Sequence, residues 1–217
     1  MKKIAVFDVD GVIVRGQTQQ LLVEYLFRKK KLNIYYLWGL NIWFLMYKLG
    51  LIRDVIKIRQ RVFQVVKNWD VFETRLLFRS FFNEVVRKNI IIETVGLINE
   101  HKKNGYEIIL VSASLKEIID EIAVFLGIKE AVATKLEQNK GFYTGKIEGA
   151  VCHGSNKVFL LKDLVKSKNF TFVGSFGYTD DYSDIPLLNL VETPFVVNPD
   201  FRLEKFATSQ SLKTYVF

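Results

Sequence analysis

Cysteine occurs once in 217 residues, at Cys152, so no internal disulfide can form and no disulfide-stapled scaffold is available. An oxidising compartment is therefore not called for, and a cytoplasmic location is the expectation. The start Met1-Lys2-Lys3 resembles the basic end of a signal peptide, but only residues 4–7 follow before Asp8, too few for an apolar core segment. Proline is scarce, with three residues, and glycine numbers thirteen, which excludes collagen-like and proline-rich linker architectures. The uncharged run 32–47 is shorter than the roughly 20 residues that span a bilayer. What is abundant is hydrophobic residues, 49% of the chain, enough to pack a core and to exclude disorder.

Acidic residues are also in short supply in one place. The net charge is +8, yet residues 15–90 hold 15 of the 31 Lys and Arg and only 5 of the 23 Asp and Glu. That span carries an excess of ten positive charges, whereas the remainder, with 16 basic and 18 acidic residues, is slightly negative. The asymmetry implies either a solvated helical face or a surface for an anionic partner: substrate, nucleic acid or membrane.

The pattern of apolar residues divides the chain at the same positions. Residues 3–8 are a short run of β-formers ending in acids and Gly11, as a buried strand feeding a loop would be. From 17 to 88 apolar residues recur at helical spacing without proline, which predicts an all-helical insertion. Alternation follows: helix 94–103, strand 107–112, helix 115–126, strand 130–137, hairpin strand 142–147, helix 155–166, strand 170–174, helix 182–190 and strand 194–197. The expected fold is α/β, a Rossmann-like parallel sheet with ligands beyond the carboxyl ends of its strands. The expected domains are a catalytic core, 1–14 with 91–217, and a helical cap, 15–90.

Two acidic clusters sit at predicted strand ends. Asp8 and Asp10 occur in Phe7-Asp8-Val9-Asp10-Gly11, and Asp180, Asp181 and Asp184 in Tyr178-Thr179-Asp180-Asp181-Tyr182-Ser183-Asp184. Carboxylates leaving buried strands are costly unless compensated, and hard oxygen ligands of this kind suit Mg²⁺. Ser112, in Val111-Ser112-Ala113-Ser114, is expected between a strand and a helix, where a hydroxyl and helix amides face an anion together. Lys157, near the start of a helix whose dipole it opposes, needs another reason to be there, such as a bound phosphate. His101 is expected to be solvated near a helix end, His153 with Cys152 lacks the set a metal needs, and Asp181 reads as a turn residue. Ser114 and Ser183 either cap helices or touch phosphate.

In order, Asp-x-Asp, Ser, Lys and Asp-x-x-x-Asp resemble the four motifs of the haloacid dehalogenase superfamily over nearly the whole chain. The insertion after the first motif, Tyr143-Thr144-Gly145-Lys146-Ile147 and Val197-Asn198-Pro199-Asp200 resemble its phosphoserine-phosphatase-like branch, subfamily IB. The resemblance implies a phosphomonoester hydrolase in which Asp8 forms an aspartyl-phosphate and Asp10 is acid and base. It implies Mg²⁺ held by Asp8, the Asp10 carbonyl and Asp180, phosphate bound by Ser112 and Lys157, and Asp184 supporting the metal shell or Lys157. Val12 departs from the Thr common at its position, a replacement other members share.

In this branch the insertion closes over the site and selects the leaving group. Where phosphoserine phosphatases place a Glu for the substrate ammonium this chain has Gln17, which disfavours phosphoserine. The expected substrate is a lipid or lysolipid phosphate such as phosphatidylglycerophosphate, with a small polar metabolite as alternative and a degenerate scaffold as a different class. Residues 32–47, rich in aromatics and following Arg28-Lys29-Lys30-Lys31, have the composition of a segment in an anionic interface. Peripheral contact with the inner face of a membrane is accordingly expected, the packed alternative being a buried cap helix. No nucleic-acid motif accompanies the charge, so no nucleic-acid partner is expected; the sequence leaves the oligomeric state open.

Overall fold

The structure is a computed structural model that describes residues 1–33, 38, 39, 42 and 63–217. Seven strands form one sheet: β1 (Lys2–Phe7), β2 (Glu107–Leu115), β3 (Glu130–Asn139), β4 (Phe142–Glu148), β5 (Phe170–Thr179), β6 (Thr193–Val197) and β7 (Lys213–Tyr215). Their order is β4-β3-β2-β1-β5-β6-β7, parallel throughout except for the β3/β4 hairpin. The first strand is central. The chain builds outward from it through β2 on one side and β5 on the other, so the crevice where ligands bind in open α/β sheets opens beyond Phe7.

Alternation in β1 explains why it is buried on both faces. Ala5 and Phe7 face one apolar cluster and Ile4 and Val6 the other, and β2 repeats the arrangement with Ile108 and Leu110 against Ile109 and Val111. Helix α5 (Ser155–Ser167) covers the second face with Leu161 and Val165. The first is covered by α1 (Thr18–Arg28), α2 (Val71–Glu84), α3 (Ile92–Lys103) and α4 (Lys116–Leu126), whose buried residues share one cluster with Phe7.

Helices α1 and α2 of the insertion pack on the core. Tyr25 of α1 meets the Phe81 ring at 5.3 Å and its hydroxyl donates to Glu84 at 3.2 Å. Phe82 of α2 packs on Phe125 of α4, and Arg79 donates to Glu121 at 3.2 Å. The insertion leaves and returns side by side: Ile91 N donates to Ile13 O, Arg15 N to Asn89 O, and Val14 bridges Ile90 in antiparallel sense.

Several expectations need correction. Strand β5 does not stop at residue 174 but reaches Thr179, because a bulge accommodates Gly174 at φ +70° and shifts the register against β1 between Lys3 and Ala5. Likewise β2 runs past Ser112 to Leu115 through an irregularity opposite Ala133 and Thr134. The helix expected at 182–190 is a 3₁₀ turn, Tyr182–Asp184, followed by the single-turn α6 (Ile185–Leu188). Two elements beyond residue 197 were not foreseen, α7 (Phe201–Ser209) and β7. The signal for α7 was present: Asp200 accepts from Arg202 N and Leu203 N as an N-cap, and Leu203, Phe206 and Ala207 follow at helical spacing.

Because Phe81 is wholly buried between α1 and the rest of the shared cluster, Phe81→Ala should lower unfolding free energy by about 3–5 kcal/mol. Urea unfolding checks this. A loss below about 1 kcal/mol would mean that α1 and α2 do not share the core's packing.

Candidate active site

Asp8 follows β1 directly, its amide donating to Tyr178 O of β5 at 2.9 Å. The chain then turns tightly, with Gly11 at φ +72° donating to Val14 O, so Asp10 also turns back to the sheet end. Helix α1 begins opposite it, and the first-turn amide of Thr18 donates to Asp10 Oδ1 at 2.7 Å, a charge-assisted bond at a helix N-terminus. Gly11 is required by more than its φ. A Cβ there would lie 1.9 Å from Asp180 Oδ2, so the two acidic loops touch only because residue 11 has no side chain.

Asp8 is 5% exposed and accepts from Val9 N at 2.7 Å through Oδ1 and from Lys157 Nζ at 2.9 Å through Oδ2. Lys157, 3% exposed on the first turn of α5, also donates to Asp184 Oδ2 at 2.6 Å, and Thr179 Oγ1 donates to the same oxygen at 2.8 Å. Burial pushes Asp8 well above the usual carboxylate range; Lys157 opposes this, while Asp184 and Asp180 add to it. Burial alone would lower Lys157, but Asp8 and Asp184 hold it above the usual lysine range and protonated. Asp184 resists the same desolvation because Lys157 and its hydrogen bonds keep it below the usual range.

Ser112 Oγ, fully buried, accepts from Ser114 N at 3.0 Å and keeps its own O–H for donation. Ser114 Oγ accepts from Thr18 Oγ1 at 2.8 Å, tying α1 to β2. Neither Ser114 nor Ser183 caps a helix: the residue preceding α4 is Leu115, and Asp181 caps the 3₁₀ turn by accepting from Ser183 N. Asp181 thus serves as the cap of this turn. The 197–200 segment braces the two acidic loops, a role the sequence did not reveal. Asn198 Nδ2 donates to Gly11 O at 2.9 Å, Asp200 N donates to Asp180 O at 3.0 Å, and Asn198 Oδ1 accepts from Phe217 N at 2.8 Å.

His101 is not solvated. It is buried among Phe7, Tyr106, Phe176 and Tyr178 and lies 2.7 Å from the Tyr178 hydroxyl, and burial lowers its pKa. Its place between charged Glu100 and Lys102 concealed the apolar face it shares with Ile98 and Thr94. Cys152 is buried, bonded to Val132 O through Sγ, and pushed up to about 12 by burial, so its thiol is unreactive.

The residues suit a hard divalent cation. Asp184 Oδ1 is buried with no hydrogen-bond partner, and burial, then the charge of Asp181, pushes the half-buried Asp180 up to about 8, with Asp10 and Asp184 adding to it. Among the described residues no three His, Cys, Asp or Glu side chains are gathered round one metal position. A cation between Asp8 and Asp180 would therefore complete its shell with backbone carbonyl and water.

A doubly covered parallel sheet with carboxylates, a lysine and a serine at the carboxyl ends of its central strands defines the broad class, a Rossmann-like α/β core with its site at the strand ends. Residues 5–189 match the haloacid dehalogenase-like hydrolase family, and the chain belongs to it. It is 32% identical over 70% of its length to a probable phosphatase of Mycobacterium tuberculosis, 53% of which it covers, and 27% identical to a histidinol-phosphatase of Neisseria meningitidis, covering 95% of both. The chain thus spans about half the length of some curated relatives and nearly all of another. A solved structure from Bordetella pertussis, of a protein of unknown function, superposes with TM-score 0.91 at 21% identity, over 99% of this chain and 98% of that one. Phosphoserine phosphatases occur among both the relatives and the structures sharing the fold.

Asp180, raised from 3.8 towards about 8, lets the folded cation-free protein bind an extra proton between those values and lose stability as pH rises through them. A cation favours the ionised form. The rise in Tm produced by Mg²⁺ should therefore grow from about pH 5 to about pH 8 and shrink sharply in Gly11→Ala, whose Cβ displaces Asp180. Thermal unfolding with and without Mg²⁺ checks this; a shift independent of pH, or unaffected by the substitution, would contradict it.

Proposed function

We propose that the chain is a phosphomonoester hydrolase that passes the phosphoryl group through Asp8. The observation that carries this reading is the buried placement of Asp8 against Lys157, with Asp10 on the same loop held separately by α1. Asp8 attacks phosphorus as the ester bond breaks, and protonated Asp10 gives its proton to the leaving oxygen. Asp10, now a carboxylate, takes a proton from the water that attacks the aspartyl-phosphate, releasing inorganic phosphate and restoring both residues. Lys157 and the Ser112 hydroxyl neutralise and orient the non-bridging oxygens, and Asp184 positions Lys157. A divalent cation, Mg²⁺ in this reading, held by Asp8, the Asp10 carbonyl and Asp180, would supply charge neutralisation.

The division of labour follows the chain crossing at 13–15 and 89–91, with residues 1–14 and 91–217 as catalytic core and 15–90 as a cap over the leaving group. Relatives named for histidinol phosphate and phosphoserine support a small phosphorylated molecule as substrate. Gln17, exposed just before Thr18, brings an amide rather than a carboxylate to the mouth of the site, which argues against phosphoserine itself. A lipid phosphate is the second reading, favoured by the exposure of Trp38 in the insertion.

Purified protein should release phosphate from an aryl phosphate, lose that activity in chelator, and lose at least ~10³-fold in kcat on Asp8→Asn with its fold retained. A screen of histidinol phosphate, phosphoserine, sugar phosphates and detergent-dispersed lipid phosphates should place phosphoserine low. Near-wild-type turnover by Asp8→Asn would overturn the covalent route, and phosphoserine as the most efficient substrate would overturn the reading of Gln17.

A further inference from the structure

The insertion presents apolar and cationic residues to solvent together. Trp38 is 66% exposed and Ile42 51% exposed; both are helical, and Gly39 beside Trp38 has open space where a Cβ would stand. Phe27, in the last turn of α1, is also exposed, and Arg28, Lys29, Lys30 and Lys31 follow it on the surface, Lys30 in a left-handed conformation at φ +56° that ends the helix. One cation at a helix end is explained by the helix dipole, and Lys29 has its own partner in Glu84 at 3.0 Å. Four in succession, in a span with an excess of ten positive charges, exceed that explanation. The uncharged run that follows, 32–47, lies largely outside the described residues, but the members described beyond Asn33 are exposed rather than sequestered.

We infer that this face of the insertion is a docking surface for an anionic lipid bilayer, with Trp38 and Ile42 entering the headgroup boundary and Arg28, Lys30 and Lys31 meeting lipid phosphates. Charge decides between occupants. A second copy of the chain would set two basic surfaces against each other, which Coulomb repulsion opposes. A nucleic-acid surface interleaves cations with stacking aromatics along a strand, whereas here the cations precede an uncharged block, the order of a segment that passes from headgroup to acyl boundary. The uncharged run 32–47 is shorter than the roughly 20 residues that span a bilayer, and among the described residues no helix is long and apolar enough to cross one. The surface is coupled to the site by α1: Thr18 N holds Asp10 at one end, and the cations begin at Arg28, roughly 15 Å along the same helix.

Flotation with phosphatidylglycerol and with phosphatidylcholine vesicles tests this, and its readout does not depend on hydrolytic activity. The full chain should float with phosphatidylglycerol at low salt, be released as salt rises, and ignore phosphatidylcholine. Lys30→Gln with Lys31→Gln should weaken binding by roughly 30-fold, about five-fold per charge. Trp38→Ala with Ile42→Ala should weaken it by at least ~10-fold, and both variants should keep the wild-type Tm. Failure to float at low salt, equal binding to phosphatidylcholine, variants that bind as wild type, or displacement of vesicles by single-stranded DNA would each overturn the inference. A catalytically inactive protein that still floats would leave the docking surface standing and the proposed reaction refuted.

Discussion

A single buried cation organises the end of this sheet. Lys157 reaches from α5 to Asp8 after β1 and Asp184 beyond β5, and all three side chains are nearly excluded from water. Burying such charges costs several kcal/mol per ion unless they are paired and hydrogen-bonded, and here each supplies what the others lack. Thr179 and Val9 supply further donors, yet Asp184 Oδ1 is still unpartnered. Two carboxylates share one lysine, and Asp10 and Asp180 stand beside them, so more acidic groups are gathered than the lysine can offset. The site is built to be completed by positive charge and, when completed, to receive an anion.

Geometry rather than charge keeps the remaining carboxylates in place. Gly11 lets Asp180 approach, Asn198 holds the Gly11 carbonyl, Asp200 holds the Asp180 carbonyl, and Thr18 holds Asp10. Two separate segments, the start of α1 and 198–200, therefore converge on two short loops. The last residues of the chain take part too, since Phe217 N donates to Asn198. Beneath them the stacked rings of Phe7, Tyr178 and Phe195 give the loops a rigid floor, with His101 against its edge. Rigid support of this kind suits phosphoryl transfer, where positioning and charge neutralisation do most of the work.

The parts of this arrangement legible in the sequence are those with a local signature. Asp8, Asp10, Ser112, Lys157, Asp180 and Asp184 stand at ends of apolar runs, and the structure brings Asp8, Lys157 and Asp184 into direct contact. The alternation of Ile4 and Val6 with Ala5 and Phe7 is hidden in a run that is apolar on both faces, but its length marks a buried strand. What was illegible depends on partners far along the chain. Gly174 looks like a strand end and is a bulge, because β1 continues to pair beyond it. His101 looks solvated among lysines and is buried, because Phe176 and Tyr178 arrive from β5. Asn198 carries no local sign of its role and is a brace, because its amide bonds a carbonyl 187 positions away.

Every role proposed for the site depends on Asp8 carrying the phosphoryl group. Acid quenching of the protein during turnover of an aryl phosphate, followed by peptide mass spectrometry, reads this directly. A phosphoryl adduct on Asp8, labile to hydroxylamine and decaying as phosphate appears, is the predicted result. Product formation through the whole time course with Asp8 never phosphorylated, or with the adduct on another residue, would contradict it.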